Sequence, residues 1–418
     1  MSNTKNSNSN SSKSVNSKKG ILIIVGCAVV FVAVAIVTIF LALNRKKNTF
    51  DVGFYQVPEN ISTFIEKRIS QLYTEKLTFS QIEDSELSEK KFGTKYDIIF
   101  CPNGSFVESV SKYTKRNSPS LYSNMPRAIT DKTQITVPLI LDYYEFAYYR
   151  PSRASAVSDI PQTMDDFESY LEKSKKAVFT PFFCAGGDDK TLLALVSVFV
   201  ESYGGSSAYN DFVQLVQKEA KLKSVSKKKF QFAGENSKSF TIIDILDIFR
   251  GWKDKEMVHP DWYSANFNDV KAFMEEKQIG VAFMPLSLHR TISYKVIRDF
   301  ESDRIPIYSA KDNYNNHGLI APEYVGIKFS NDARCDEIFA DLVEENAQTN
   351  FSDQTKLAPI NSRCAAFDRQ SDDARFFAAA CKDGPIPPLY NAAFQTNEKA
   401  LHEFAEQIRT YLRLGVLE

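Results

Sequence analysis

From about residue 50 onward the sequence predicts an α/β fold with helices packed on a parallel-type sheet, and upstream of it a single transmembrane helix. Two observations predict this. Strand-like and helix-like apolar patterns alternate along most of the chain, as in βαβ units. Ile21 to Leu43 runs for 23 residues without a charge. At about 1.5 Å per residue such a helix reaches about 35 Å, enough to cross a hydrocarbon core of about 30 Å. With 418 residues, 43 % hydrophobic and 25 % charged, the chain has a globular composition and room for one large or two ordinary domains.

Residues 1–19 are Ser-, Asn- and Lys-rich, with almost nothing apolar to bury, and predict a disordered polar tail. Residues 20–44 follow as the spanning helix. Two motifs inside it resemble cleavage signals. Ile24-Val25-Gly26-Cys27 has the look of a lipobox, but the apolar run before it is too short for a signal core of about 7–15 residues. Ala33-Val34-Ala35 has the form of an A-x-A site, yet Ile36 to Leu43 would stay as an apolar leader on the mature chain. An uncleaved anchor is therefore expected. Lys13, Lys18 and Lys19 on one side balance Arg45, Lys46 and Lys47 on the other, so charge alone does not orient it.

Beyond the anchor, Asp51 to Val57 reads as a strand, and Ile61, Phe64, Ile65, Ile69 and Leu72 mark one face of a helix after Asn60. Leu77 to Glu83 and Tyr96 to Phe100 are further strands; the second is a continuous apolar run of the kind covered on both faces. Ile135 to Tyr149 is a long β-prone stretch, and Thr163-Met164-Asp165-Asp166 resembles a helix-capping box. Ala177 to Phe183 is strand-like, Cys184 to Asp189 a tight turn, and Lys190 to Ser202 an apolar helix stopped by Gly204-Gly205. Helices are predicted at 240–252, 270–277, 333–344 and 397–412, and strands at 279–285 and 324–330. No repeat of 20–50 residues is present.

Composition excludes several functions. A net charge of −1 with acids and bases intermixed is not the basic surface that nucleic acid requires. Cys101, Cys184, Cys335, Cys364 and Cys381 lie beyond the anchor without metal-ligand spacing; Cys364 and Cys381 are able to close a loop, and isolated buried thiols are the alternative. The sequence has no GxSxG, no HExxH and no nucleophile with an orienting base, so neither an enzyme, a cofactor nor a metal is expected. Gly186 to Thr191 resembles a phosphate loop but lacks its first glycine.

Five local patterns in order resemble the extracellular solute-binding proteins of bacterial ABC importers, in particular the maltose-binding-protein-like group. They are YDIIF leading into Asn103-Gly104-Ser105, VPLILDYYEFAYYR, DIPQTMDDFESYLEK, HPDWYSANFNDVKAFMEEKQIGVAFMP and LAPINSRCAA. The resemblance runs from about residue 50 to 418. It implies a two-lobed periplasmic-binding-protein-like fold of type II over 45–418, with the first lobe about 50–141 plus 312–350 and the second about 146–311 plus 351–418. It further implies a ligand cleft between lobes, an extracytoplasmic domain behind the membrane anchor, and delivery to permease subunits.

The same resemblance, joined to local chemistry, nominates ligand-binding residues. Asp142 and Tyr144 share a strand face with Phe146 and Tyr148, and a carboxylate beside aromatic rings suits a polyol; the alternative is an ordinary strand of core aromatics. Asn103, Gly104 and Ser105 lie at the carboxyl end of a strand, where open α/β sheets bind ligands, or form a plain helix cap. Gly187 and Asp188 open a helix and offer a side chain or a free N–H, or again only a cap. Ser287 and His289 follow a strand where the resembled family places an aromatic platform. Trp252 and Trp262 are expected to pack internally. The function expected is capture of a small polar solute, a saccharide by resemblance. A tethered sensory or scaffold module with a degenerate cleft is the alternative.

Overall fold

The computed structural model describes residues 49–417 apart from 75, 89–91, 127–128, 130–132, 151–159, 304–305, 307, 309–319, 381–386 and 394–397. The polar tail and the spanning helix of the sequence reading lie outside the described residues. No helix among the described residues is long and apolar enough to cross a membrane. Residues Asp51–Glu418 form one compact unit.

The first strands are β1 (Phe50–Phe54), β2 (Leu77–Gln81) and β3 (Ile98–Pro102), with α1 (Glu59–Leu72) and α2 (Ser105–Val110) between and after them. β4 (Thr136–Tyr149) precedes α3 (Met164–Ser174), β5 (Thr180–Cys184) and α4 (Asp189–Lys218). A hairpin of β6 (Phe230–Phe232) and β7 (Glu235–Phe240) leads to α5 (Ile242–Asp254), α6 (Phe267–Glu275), β8 (Ile279–Pro285) and the short α7 (Leu286–His289). β9 (Phe300–Asp303), β10 (Ile320–Lys328), α8 (Ala333–Leu342), α9 (Glu345–Thr355), β11 (Ala358–Pro359), α10 (Arg369–Ala380), α11 (Leu389–Ala392) and α12 (Glu398–Leu414) complete the chain.

The main sheet runs β2-β1-β3-β10-β4-β8-β5, with β9 and β11 also paired to β4. β1/β3 and β5/β8 are parallel, as the continuous apolar runs predict, because helices cover both faces there. β10 and β4 run antiparallel to their neighbours, so the sheet is mixed and not simply parallel. The 14-residue β4 joins the two halves. Its first part, Thr136–Tyr143, pairs with β10, and its second part, Tyr144–Tyr148, pairs with β8.

Each half has its own apolar core. Ile99, Cys101, Phe106, Val107, Val325 and Ile327 pack around the β3–β10 pair. The larger cluster packs α3, α4 and α5 on β5 and β8, centred on Trp252, which meets Phe167, Phe182, Phe199 and Phe249 at 5.5–5.7 Å. Trp252 and Trp262 are both buried, as packing residues. α1 buries Ile61, Phe64, Ile65 and Ile69, whereas Leu72, read as part of that face, is 42 % exposed at the fraying end. Thr163 caps α3 by accepting from Asp166 N at 3.2 Å. The helix read as ending at Gly204-Gly205 does break there, where Gly205 takes φ 68°, and a second helical stretch follows it directly to Lys218. Cys101, Cys184, Cys335 and Cys364 are free and buried; Cys381 lies outside the described residues.

Candidate functional site

The carboxyl ends of β3 and β8, the middle of β4 and the amino ends of α4 and α6 converge on one cleft of about 260 Å³. Asn103, Asp142, Tyr144, Asp188 and Ser287 line it, joined by Tyr143, Lys190, Phe267, Glu323 and Asn391. Strand ends supply such sites because backbone groups there leave the ladder and the following loops splay apart.

Two of the carboxyl groups that line it act on each other. Asp142 is 7 % exposed, and its Oδ1 accepts from the backbone N–H groups of Ser287 (3.1 Å) and Tyr143 (2.9 Å). Burial first and the charge of Glu323 second push its pKa from 3.8 up to about 7, against the lowering effect of these hydrogen bonds. Glu323 reaches the same place through a backbone irregularity. Opposite β4, Pro322 pairs with Leu141 and Tyr324 with Ile140, which leaves Glu323 as an extra residue in the ladder. Its carbonyl accepts from Asn103 N at 3.0 Å, and its side chain lines the cleft. Burial raises its pKa, while Lys190 draws it down.

Aromatic and amide groups complete the walls. Tyr144 stacks on Phe283 with centroids 5.2 Å apart, and Phe267 stands at the start of α6, where the Asn266–Asp269 capping box fixes it. The ammonium group of Lys190 lies 5.0 Å from the Tyr390 ring centre. Asn391 Nδ2 donates to the Asn103 carbonyl at 3.1 Å, tying the α11 segment to the end of β3 across the cleft mouth.

The sequence-nominated residues divide. Asn103, Asp142, Tyr144, Asp188 and Ser287 meet at the cleft. Asp188 is also the cap of α4, its Oδ1 accepting from Thr191 N and Thr191 Oγ1 at 2.8 Å each. Gly104 caps α2 at φ 154° and packs toward Tyr390, which Ser105 also contacts, so both close the rim and do not line the cavity. Gly187 has no free N–H: it donates to the Ala265 carbonyl at 2.8 Å. A Cβ there would stand 2.7 Å from Ser264 O, so a close backbone approach explains the glycine. His289 is not on the wall. It is fully buried, with Nδ1 2.5 Å from Glu145 Oε1, and Tyr143 Oη donates to Glu145 Oε2 at 3.3 Å. Strand alternation explains the difference, since Glu145 points away from the face that carries Asp142 and Tyr144.

Lys190, Phe267, Glu323 and Asn391 were not nominated. The capping pattern Asn266…Asp269 was a usable sign for Phe267; a bulge and a four-residue helix leave no periodic trace for Glu323 and Asn391. Away from the cleft, Asp189, His402 and Glu406 bring ligand atoms within 4.8 Å of one another. Arg409 bonds Asp189 Oδ1 at 2.7 Å and Glu406 Oε1 at 2.6 Å, so a guanidinium already supplies the positive charge of that cluster.

No protein-family model matches the sequence, and no curated protein matches it. Solved structures do. The bacterial solute receptor AcbH, described with an exclusive preference for β-D-galactopyranose, aligns at TM-score 0.67 and 12 % identity over 88 % of this chain and 93 % of its own. Apo RafE from Streptococcus pneumoniae aligns at TM-score 0.66 and 13 % identity over 88 % and 95 %. A chitin oligosaccharide binding protein aligns at 0.59 and 16 % over 87 % and 98 %. At these identities the likeness is one of architecture, and its content is that the chain has the mixed α/β fold of the two-lobed solute-binding receptors.

Proposed function

We propose that this chain is an extracytoplasmic solute-binding receptor, held at the membrane by Ile21–Leu43, that captures a small polar solute of the saccharide class and passes it to an ABC permease. The observation that carries the reading is the cleft on β4: hydrogen-bonding groups from both halves of the sheet and aromatic side chains enclose a volume suited to one small molecule. Architecture and the sugar ligands of the structural neighbours support the ligand class. The structural neighbours are solute receptors, which supports binding as the role. A degenerate cleft would have no reason to keep Asp142 and Glu323 at the cost of desolvation, which favours capture over the scaffold alternative.

Binding is tested on the full chain in detergent by thermal shift, native mass spectrometry and calorimetry against mono- and oligosaccharides and small polar metabolites. A saturable ligand that loses affinity in Asp142→Ala is the expected result. If no compound binds, the receptor reading fails. Protease added to intact cells separately tests the anchor: loss of a carboxyl-terminal tag places the domain outside, and full protection refutes that placement.

A further inference from the structure

The walls of the cleft are unbalanced in charge. Among the described residues Asp142, Asp188 and Glu323 line it against Lys190. Asp188 is committed to the α4 cap, and the Lys190 ammonium, 5.0 Å from the Tyr390 ring centre, offsets the charge of Glu323 from beyond ion-pair distance. Asp142 and Glu323 remain, and neither has an ion pair among the described residues. Two backbone N–H groups support Asp142. The bulge in β10 adds Glu323 beside it, so the fold spends a local irregularity to bring a second carboxylate to the first.

A neutral solute closing this cleft would leave the repulsion standing and remove water from both acids, a cost only partly met by hydroxyl donors. An ammonium group between them makes charge-assisted hydrogen bonds to each and cancels the repulsion. Tyr144 and Phe267 also line the cleft and add aromatic surface that a cation favours. We propose that the cleft selects a small solute bearing a protonated amine, such as an amino sugar, with the amine held between Asp142 and Glu323. This rests on the receptor reading above and specifies its ligand class. Burial and the charge of Glu323 both raise the pKa of Asp142, and a cation between the two acids would oppose both effects.

The test uses matched compounds that differ at one group: glucose, glucosamine, N-acetylglucosamine and glucuronate, the corresponding galactose set, chitosan and chitin disaccharides, and putrescine as an amine without a sugar frame. Titration calorimetry of the full chain in detergent is expected to show an amine-bearing member binding at least ten-fold more tightly than its neutral partner. Glu323→Gln and Asp142→Asn, each with its melting temperature recorded to establish folding, are expected to remove that preference, not merely to scale all affinities down. A neutral or acidic member binding as well as its amine, a metal ion binding in place of every organic compound, or a preference that survives in both variants overturns the proposal while leaving a receptor. Absence of binding by any compound removes the receptor reading as well.

Discussion

The sharpest consequence of the cleft is that Asp142 costs stability in the empty protein. Its carboxyl is buried and stands at about 7 against 3.8 when unperturbed, so its ionisation in the folded chain costs about 4 kcal/mol at pH well above 7. The sign follows from the direction of the shift. The folded value lies above the unfolded one, so stabilisation by the protonated form is complete below about 3.8 and is lost as pH rises through about 7. Asp142→Asn keeps an oxygen to accept from Ser287 N and Tyr143 N and removes the ionisation. With unfolding entropy of about 2.1 cal/mol/K per residue over about 370 residues, 1 kcal/mol moves the melting temperature by about 1.3 °C. The variant should therefore melt about 5 °C above the parent at pH 8.5 and only about 2 °C above it at pH 5. Differential scanning calorimetry of the ligand-free chain at both pH values measures this. Equal melting temperatures at pH 8.5, or a gain of the same size at pH 5, would refute the assignment of a buried, proton-holding carboxyl to the cleft.

Two further variants probe groups outside the cleft wall. Glu201, 2 % exposed in α4, is raised by burial from 4.5 to about 8, so Glu201→Gln should stabilise the chain at pH 9.5, with the advantage shrinking as pH falls below 8 and gone below about 4.5; a pH-independent effect would contradict the cause given. His289→Ala removes the imidazole from Glu145 and leaves that carboxyl buried, for a loss of about 3–5 kcal/mol by chemical denaturation, with ligand preference unchanged in the folded fraction. A near-neutral His289→Ala, or one that alters which solute binds, would return His289 to the site.

Legibility in the sequence tracked the range of the forces involved. Short-range rules worked where one residue type dictates a local outcome: the apolar runs of β3 and β8 gave buried strands, and Thr163 capped its helix. They failed where the decision was tertiary. Nothing local orients β10 antiparallel to β3 and β4, and the two-residue β11 exists only because β4 offers it an edge. α9 is mostly polar, with Ala347, Gln348, Phe351 and Ser352 turned inward, too weak a stripe to read. In the cleft, Asp142 was reachable because alternation along one strand predicts its face, and His289 was misplaced because a short helix turned it under the sheet. Asn391 bonds a residue 288 positions away, a relation that only the folded chain defines.

The bulge that carries Glu323 has one more implication. Past Tyr324 the pairing with β4 returns to its former register, because an extra residue on β4 compensates the one on β10. The second acid is thus an insertion confined to a few residues, with regular ladder on either side. Removing Glu323 itself would leave Pro322 opposite Leu141 and Tyr324 opposite Ile140 as adjacent rungs, which takes the acid out of the cleft and keeps the flanking side chains on the faces they now occupy. Preference for one kind of cargo in this scaffold is therefore separable from its folding: a change in the count of residues, and not in their type, suffices to rewrite it.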